Sequence, residues 1–199
     1  MHLPALLDTA LFAEAELSAL RLDGDCLPLG PAVVALDEPI DAALRAAVLA
    51  PEAARYDLVA ADRLAAWVHG AGDLPAPPFR FTVDRNDGVR TRVLAVPPRE
   101  VLLSPGDVAL IAGLRVTTPL RTALDLARLE DEFGESERLS VLALLALADV
   151  QPCDAAALLE VAPILPGKRR GIDRLRDCGR GRHRAPCRLA GPHSSVSAA

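Results

Sequence analysis

The segment from Leu114 to Leu129 constrains the fold more than any other part of the chain. Leu114-Arg115-Val116 reads as a strand, Thr118 stands where a helix N-cap belongs, and Pro119 occupies the first helical position. A proline there loses no hydrogen bond and has its φ already set for a helix. Residues 120–129 then place Leu120, Leu124 and Ala127 on one face, so a strand must turn directly into a helix at Thr118-Pro119. Thr118 is expected to cap through its side chain, and the Arg121–Asp125 pair to bridge one exposed turn.

The rest of the chain alternates short strands with helices. A helix over 13–22 precedes two strands, 26–29 and 32–36, joined at Gly30-Pro31. A helix over 41–50 follows, then a brief strand at 57–60. The next helix, 61–69, has Leu64, Trp67 and Val68 inward and Gly70 just past its end. Phe79, Phe81 and Val83 alternate with Arg80 and Thr82, the pattern of a half-buried strand. Strands are expected again at 92–96, 101–103 and 108–111, and helices at 135–148, 154–161 and 167–177. The last of these is basic, with only Ile172 and Leu175 to bury, and is expected to lie largely exposed. Beyond Gly179 the Gly, Arg, Pro, Ser and His composition predicts disorder. The expected class is α+β: a reduced winged-helix remnant (helix plus hairpin) over 1–38, a mixed α/β domain over 39–178 ending in a helical segment, and a disordered basic tail over 179–199.

Charge is strongly divided. Residues 168–188 hold nine basic and two acidic side chains, net +7, whereas the preceding 167 residues hold 13 basic and 25 acidic, net −12. Residues 11–50 contain two basic side chains (Arg21, Arg45) and seven acidic ones, a poor surface for neutralising phosphates. Lys168, Arg169, Arg170, Arg174 and Arg176 are therefore the candidate nucleic-acid contacts, against the plainer reading of a solvated helix end.

No catalytic constellation stands out. The glycine patterns that cradle phosphates are absent, and the only histidine of the expected folded body, His69, sits at a helix end where it can meet carbonyls. The acidic positions 130–132, 135 and 137 read as a solvated loop leading into a helix N-terminus. Four sparse cysteines (Cys26, Cys153, Cys178, Cys187) read as free thiols. Cys178, His183, Cys187 and His193 lack the short pairs that preorganise zinc. Neither a metal nor a cofactor is expected. The longest apolar stretch, 139–148, is too short to span a bilayer, and no export signal is visible, so a cytoplasmic, non-enzymatic protein is expected.

The block Gly113-Leu114-Arg115-Val116-Thr117-Thr118-Pro119-Leu120-Arg121-Thr122-Ala123-Leu124-Asp125-Leu126-Ala127-Arg128 resembles the AbiEi family, the antitoxins of type IV toxin–antitoxin systems. Asp62-Arg63-Leu64-Ala65-Ala66-Trp67-Val68-His69-Gly70, the strand 79–83, and the 165–176 segment around Pro166-Gly167-Lys168-Arg169-Arg170-Gly171 agree in order and spacing. The family-motif residues are Trp67, His69, Gly70, Thr118, Pro119, Arg121, Thr122 and Asp125. The resemblance implies an N-terminal winged helix-turn-helix joined to an antitoxin domain, repression of its own operon through operator DNA, and a nucleotidyltransferase-like toxin as a functional rather than physical partner. The alternative is a degenerate remnant of a DNA-binding or nuclease-type protein, surviving as a non-catalytic scaffold.

Overall fold

A computed structural model describes residues 5–7, 12–85 and 97–180. The chain begins with strand β1 (Leu6–Leu7), helix α1 (Glu14–Asp23) and the hairpin β2 (Cys26–Leu29) and β3 (Ala32–Ala35), and continues into α2 (Ala42–Ala54). The second part contains β4 (Val59–Ala60), α3 (Asp62–Val68), β5 (Phe81–Asp84), β6 (Arg99–Val101), β7 (Val108–Ile111) and β8 (Leu114–Thr117). Four helices complete it: α4 (Pro119–Leu129), α5 (Glu135–Leu147), α6 (Pro152–Val161) and α7 (Lys168–Arg180). The fold is mixed α+β, with seven helices and two sheets among the described residues.

The first sheet is antiparallel, in the order β1-β3-β2, and shields a small core of Leu7, Leu17, Cys26 and Val33. The second has the order β6-β5-β4-β8-β7, with β4 parallel to β8 and antiparallel to β5. Hairpin β7–β8 closes on the two-residue turn Ala112-Gly113, both at positive φ (44° and 83°), the turn whose twist matches that of the strands.

Helix α3 is the centre of the molecule. Five successive residues, Leu64 to Val68, are buried, so the helix is packed all round. Leu64, Ala65, Trp67 and Val68 join the core beneath the large sheet and α2; Ala66 faces a second core made by α4, α5, α6 and α7. A helix covered on every side can carry small residues where neighbours approach closely, which accounts for Ala65-Ala66.

Several expectations shift. Helix α2 runs past Pro51 to Ala54, because Pro51 is exposed and the carbonyl it leaves without a donor can meet water. The strand expected at 101–103 lies at 99–101, and α6 starts two residues earlier than expected. The buried side of α4 is broader than Leu120, Leu124 and Ala127: Thr122, Ala123, Asp125, Leu126, Ala127 and Arg128 are buried, with Leu120 and Leu124 only partly so. Helix α7 is not a largely exposed arm. It buries Gly171, Leu175 and Cys178 against α4 and α6, and it is helical to Arg180, past the expected start of the tail. Cys26 and Cys178 are buried free thiols, whereas Cys153 is disulfide-bonded rather than free. The strand expected at 92–96 and residues 181–199 lie outside the described residues.

Candidate functional site

The motif residues converge on the junction of α3, β8 and α4. Thr118 is the N-cap of α4 by position, yet its side chain makes no capping bond. The backbone holds the corner instead, since the Thr118 N–H donates to the Asp107 carbonyl at 2.8 Å. The hydroxyl that matters is one turn later. Thr122 Oγ1 lies 2.9 Å from the half-buried Thr118 carbonyl, and 3.1 Å from the Thr117 carbonyl and 2.7 Å from Thr117 Oγ1 in the interior. A buried hydroxyl must find partners, and this one ties the end of β8 to the first turn of α4.

His69 completes the junction from the other side. It is the C-cap residue of α3, with Gly70 behind it at φ 74° and the Gly70 N–H donating to the Trp67 carbonyl at 2.9 Å. The expectation that His69 meets carbonyls holds, but the carbonyl belongs to another element: Nε2–H donates to Thr117 O at 2.8 Å. Burial pushes the imidazole below its ordinary pKa, partly opposed by that bond, so the ring is a neutral donor.

The polar side of α4 is a buried charge ladder. Asp125, with only 3% of its side chain exposed, accepts from Arg121 Nε through Oδ2 at 2.8 Å and from Arg128 Nη2 through Oδ1. Arg121 also reaches Asp107 Oδ2 at 2.7 Å, and Arg128 reaches the Pro166 carbonyl at 2.9 Å. The Arg121–Asp125 pair is therefore a buried one rather than the exposed turn expected, and it connects the loop before β7 to the loop before α7.

Beside this ladder opens a cleft of ≈ 670 Å³ between the start of α3, the proline-rich 75–78 loop, β5, β6 and the 129–132 turn. Asp62 lies in it at φ 52°, a left-handed backbone in a residue other than glycine. Its carboxyl accepts from Arg99 Nη2 at 3.0 Å. Burial holds that carboxyl above its ordinary range; Arg99 opposes the shift, and Asp125 and Glu130 add to it. Arg63 bridges Glu130 and Glu137, each at 3.0 Å, and Glu137 also accepts from the Gly134 N–H at 2.9 Å. These two carboxylates are thus pinned rather than merely solvated.

The candidate nucleic-acid contacts are mostly engaged inside the fold. Lys168 Nζ donates to the Glu160 and Ala162 carbonyls at 2.9 and 2.6 Å, closing the end of α6. Arg170 donates to the Arg128 carbonyl through Nε (3.1 Å) and Nη2 (2.7 Å). Arg174 donates to Ala127 O and Glu130 O at 3.1 and 2.7 Å, and stacks 4.5 Å from the Phe133 ring. Arg176 pairs with Glu160, and Arg169 is exposed. Cations at helix C-termini satisfy orphan carbonyls and oppose the dipole, so this basic run is first a docking device.

Glycines make the docking possible. A Cβ on Gly167 (φ 69°) would stand 2.1 Å from the Arg128 carbonyl oxygen, and one on Gly171 would stand 2.6 Å from Arg128 Cγ. Sequence reasoning singled out neither glycine, nor Arg128, Asp107 or Asp62. The four-residue spacing of Gly167 and Gly171, which puts both on one side of a helix start, was the available signal.

Nearly every polar group at this centre is bonded to another part of the protein, and no group of three or more His, Cys, Asp or Glu able to hold a metal ion occurs among the described residues. The architecture is a mixed sheet and central helix locked to a helical layer through a strand-to-helix corner. The chain matches the family model for the AbiEi antitoxin C-terminal domain over residues 58–177, and it belongs to that family. The match starts just before β4 and ends within α7, so it takes in the large sheet and the helical layer together. No curated protein and no solved structure matches the chain. Among the described residues no single helix is long and apolar enough to cross a membrane.

Proposed function

We propose that the protein is the antitoxin of a type IV toxin–antitoxin system, acting in the cytoplasm without enzymatic activity of its own. In this reading it counters a nucleotidyltransferase-like toxin without forming a stable complex and represses its own operon. The observation that carries the proposal is the family core itself, with Trp67, His69, Gly70, Thr118, Pro119, Arg121, Thr122 and Asp125 gathered at one internal junction.

Residues 1–38 are assigned as the reduced winged-helix unit, 39–178 as the antitoxin domain and the remainder as a basic tail. The strand–helix–hairpin order with sheet order β1-β3-β2 supports the first assignment. That unit is acidic, so operator contact is assigned to the basic helix α7, where Lys168, Arg170 and Arg174 are committed to carbonyls and Arg169 and Arg176 face outward.

The decisive experiment looks for a nucleotidyltransferase gene beside this one and co-expresses its product with the chain. Restored growth, with no co-purification of the two proteins, is the expected result; continued toxicity at matched expression overturns the reading. A salt titration of operator DNA binding with Arg169→Gln/Arg176→Gln and with residues 1–38 deleted tests the DNA assignment. Loss of binding only in the deletion would transfer it to the N-terminal unit.

A further inference from the structure

The cleft between the start of α3, β5, β6 and the 129–132 turn has the volume of a small-molecule site, ≈ 670 Å³. Its accessible apolar lining is stiff, because Pro75, Pro78 and Pro97 have fixed φ, and Leu129 at the end of α4 completes it. Three of its carboxylates already have a guanidinium: Asp62 holds Arg99, Glu130 holds Arg63 and Asp131 holds Arg170. The fourth, Glu132, is exposed at the rim, where it acts on Arg63.

The underused groups are the two arginines of the sheet wall. A guanidinium can donate five hydrogen bonds, yet Arg99 makes one, from Nη2 to Asp62 Oδ1 at 3.0 Å, and its Nε is buried without an acceptor. Arg80, just before β5, is exposed and makes no hydrogen bond or ion pair with any described residue. Strand register places both on one face of the sheet, since Thr82 pairs with Arg99 and Arg80 stands two residues before Thr82. Asp62 is a poor counter-ion for Arg99. It accepts through one oxygen from a left-handed backbone, and burial disfavours its charge, with Arg99 only partly offsetting that and Asp125 and Glu130 adding to it.

We propose that this cleft binds a small organic anion, its carboxylate or phosphate held by Arg80 and Arg99 and its apolar body laid against the proline wall. The planar fork of arginine matches such oxyanions bidentately, and a guanidinium with one bond made can turn its remaining donors to a second acceptor. The bound anion takes over from Asp62 as the main counter-ion of Arg99. A nucleic acid is a different case: it would approach over the acidic 130–132 turn, where Asp131 is 95% exposed, and a polyanion is repelled there. Arg169 and Arg176, the outward cations of α7, do not line this cleft.

Nuclear magnetic resonance titration of the full chain with benzoate, phenyl phosphate and benzylamine tests the proposal. At least one of the two anions should bind with a Kd of about 1 mM, the level expected for so small a ligand, and should shift the Arg80 and Arg99 side-chain N–H signals. The tighter of the two names the headgroup. Benzylamine carries the same ring with the opposite charge and should bind at least about tenfold more weakly. Arg80→Gln, at an exposed position, should leave the unfolding midpoint unchanged and weaken the anion about tenfold, the loss of one charged hydrogen-bonding group. Asp62→Asn should instead tighten it several-fold, because Arg99 loses its competing carboxylate while asparagine tolerates the left-handed backbone. A cation site would give the opposite sign for Asp62→Asn. Failure of both anions to bind, an amine that binds as tightly, unchanged affinity in Arg80→Gln, or weakened affinity in a folded Asp62→Asn each overturns the proposal.

Discussion

Arg121 Nε donates to Asp125 Oδ2 at 2.8 Å across one turn of α4, and the second oxygen of the same carboxylate is taken by Arg128. A side chain 3% exposed that neutralises two guanidiniums cannot be removed cheaply, because truncation strands charge in the interior. Asp125→Ala should destabilise the fold by about 3–5 kcal/mol in urea unfolding. Arg121→Ala should cost less, since Arg128 still pairs with the carboxylate. Equal costs would mean that Arg128 does not depend on Asp125.

The approach of α7 to α4 is set by backbone contact at Arg128. Gly167→Ala combines a left-handed φ with a Cβ overlapping a carbonyl, and should cost at least about 2–3 kcal/mol; Gly171→Ala should cost about 1–3 kcal/mol through overpacking. Gly179→Ala is the internal control. Its Cβ would meet Pro152 at an ordinary 3.6 Å, so the helix should gain about 0.5–1 kcal/mol. Denaturant midpoints of the three variants should fall in that order, and a tolerated Gly167→Ala would contradict the packing described for Arg128.

The strand-to-helix corner separates two threonines by role. Thr118 makes no side-chain cap, so Thr118→Ala should change stability by less than about 0.5 kcal/mol, not the ~1 kcal/mol a true cap contributes. Thr122→Ala should cost about 1–2 kcal/mol, having removed a buried hydroxyl bonded to β8. The reverse order in thermal unfolding would restore Thr118 as the cap.

His69 gives the fold a pH dependence of definite sign. Its folded pKa lies below the ordinary 6.5, so between the two values the unfolded chain binds more protons than the native one. Stability is therefore complete above about pH 6.5 and is lost as the pH falls toward the lowered folded value. The unfolding free energy of wild type should drop across this window relative to His69→Gln, which has no proton to gain. Parallel curves for the two proteins would show that His69 titrates alike in both states.

Much of the local structure was legible in residue patterns. The hairpin at Gly30-Pro31, the strand-to-helix turn at Pro119 and the end of α3 before Gly70 all follow from φ preferences within a few residues, and all stand in the fold. The site was less legible. Arg121 and Asp125 were recognisable as neighbours on a helix, but their burial depends on Asp107 from the turn before β7 and on the segment from Pro166 to Gly171 closing over Arg128. Cleft residue Asp62 left no local sign of its left-handed backbone or of its pairing with Arg99, 37 residues away.

Helix α7 marks the boundary between the two kinds of information. Alternation, capping and glycine placement act over one or two turns, so sequence by itself determined that residues 167–177 form a strongly basic helix next to an acidic body. Whether its cations face water or carbonyls depends on what lies across the gap, and one string of arginines serves either purpose equally well. Only the tertiary structure decided it. Gly167 and Gly171 let α7 close on Arg128, and the carbonyls ending α4 and α6 engaged the donors of Lys168, Arg170 and Arg174, because a helix end packed against a neighbour needs donors that water supplies less readily there.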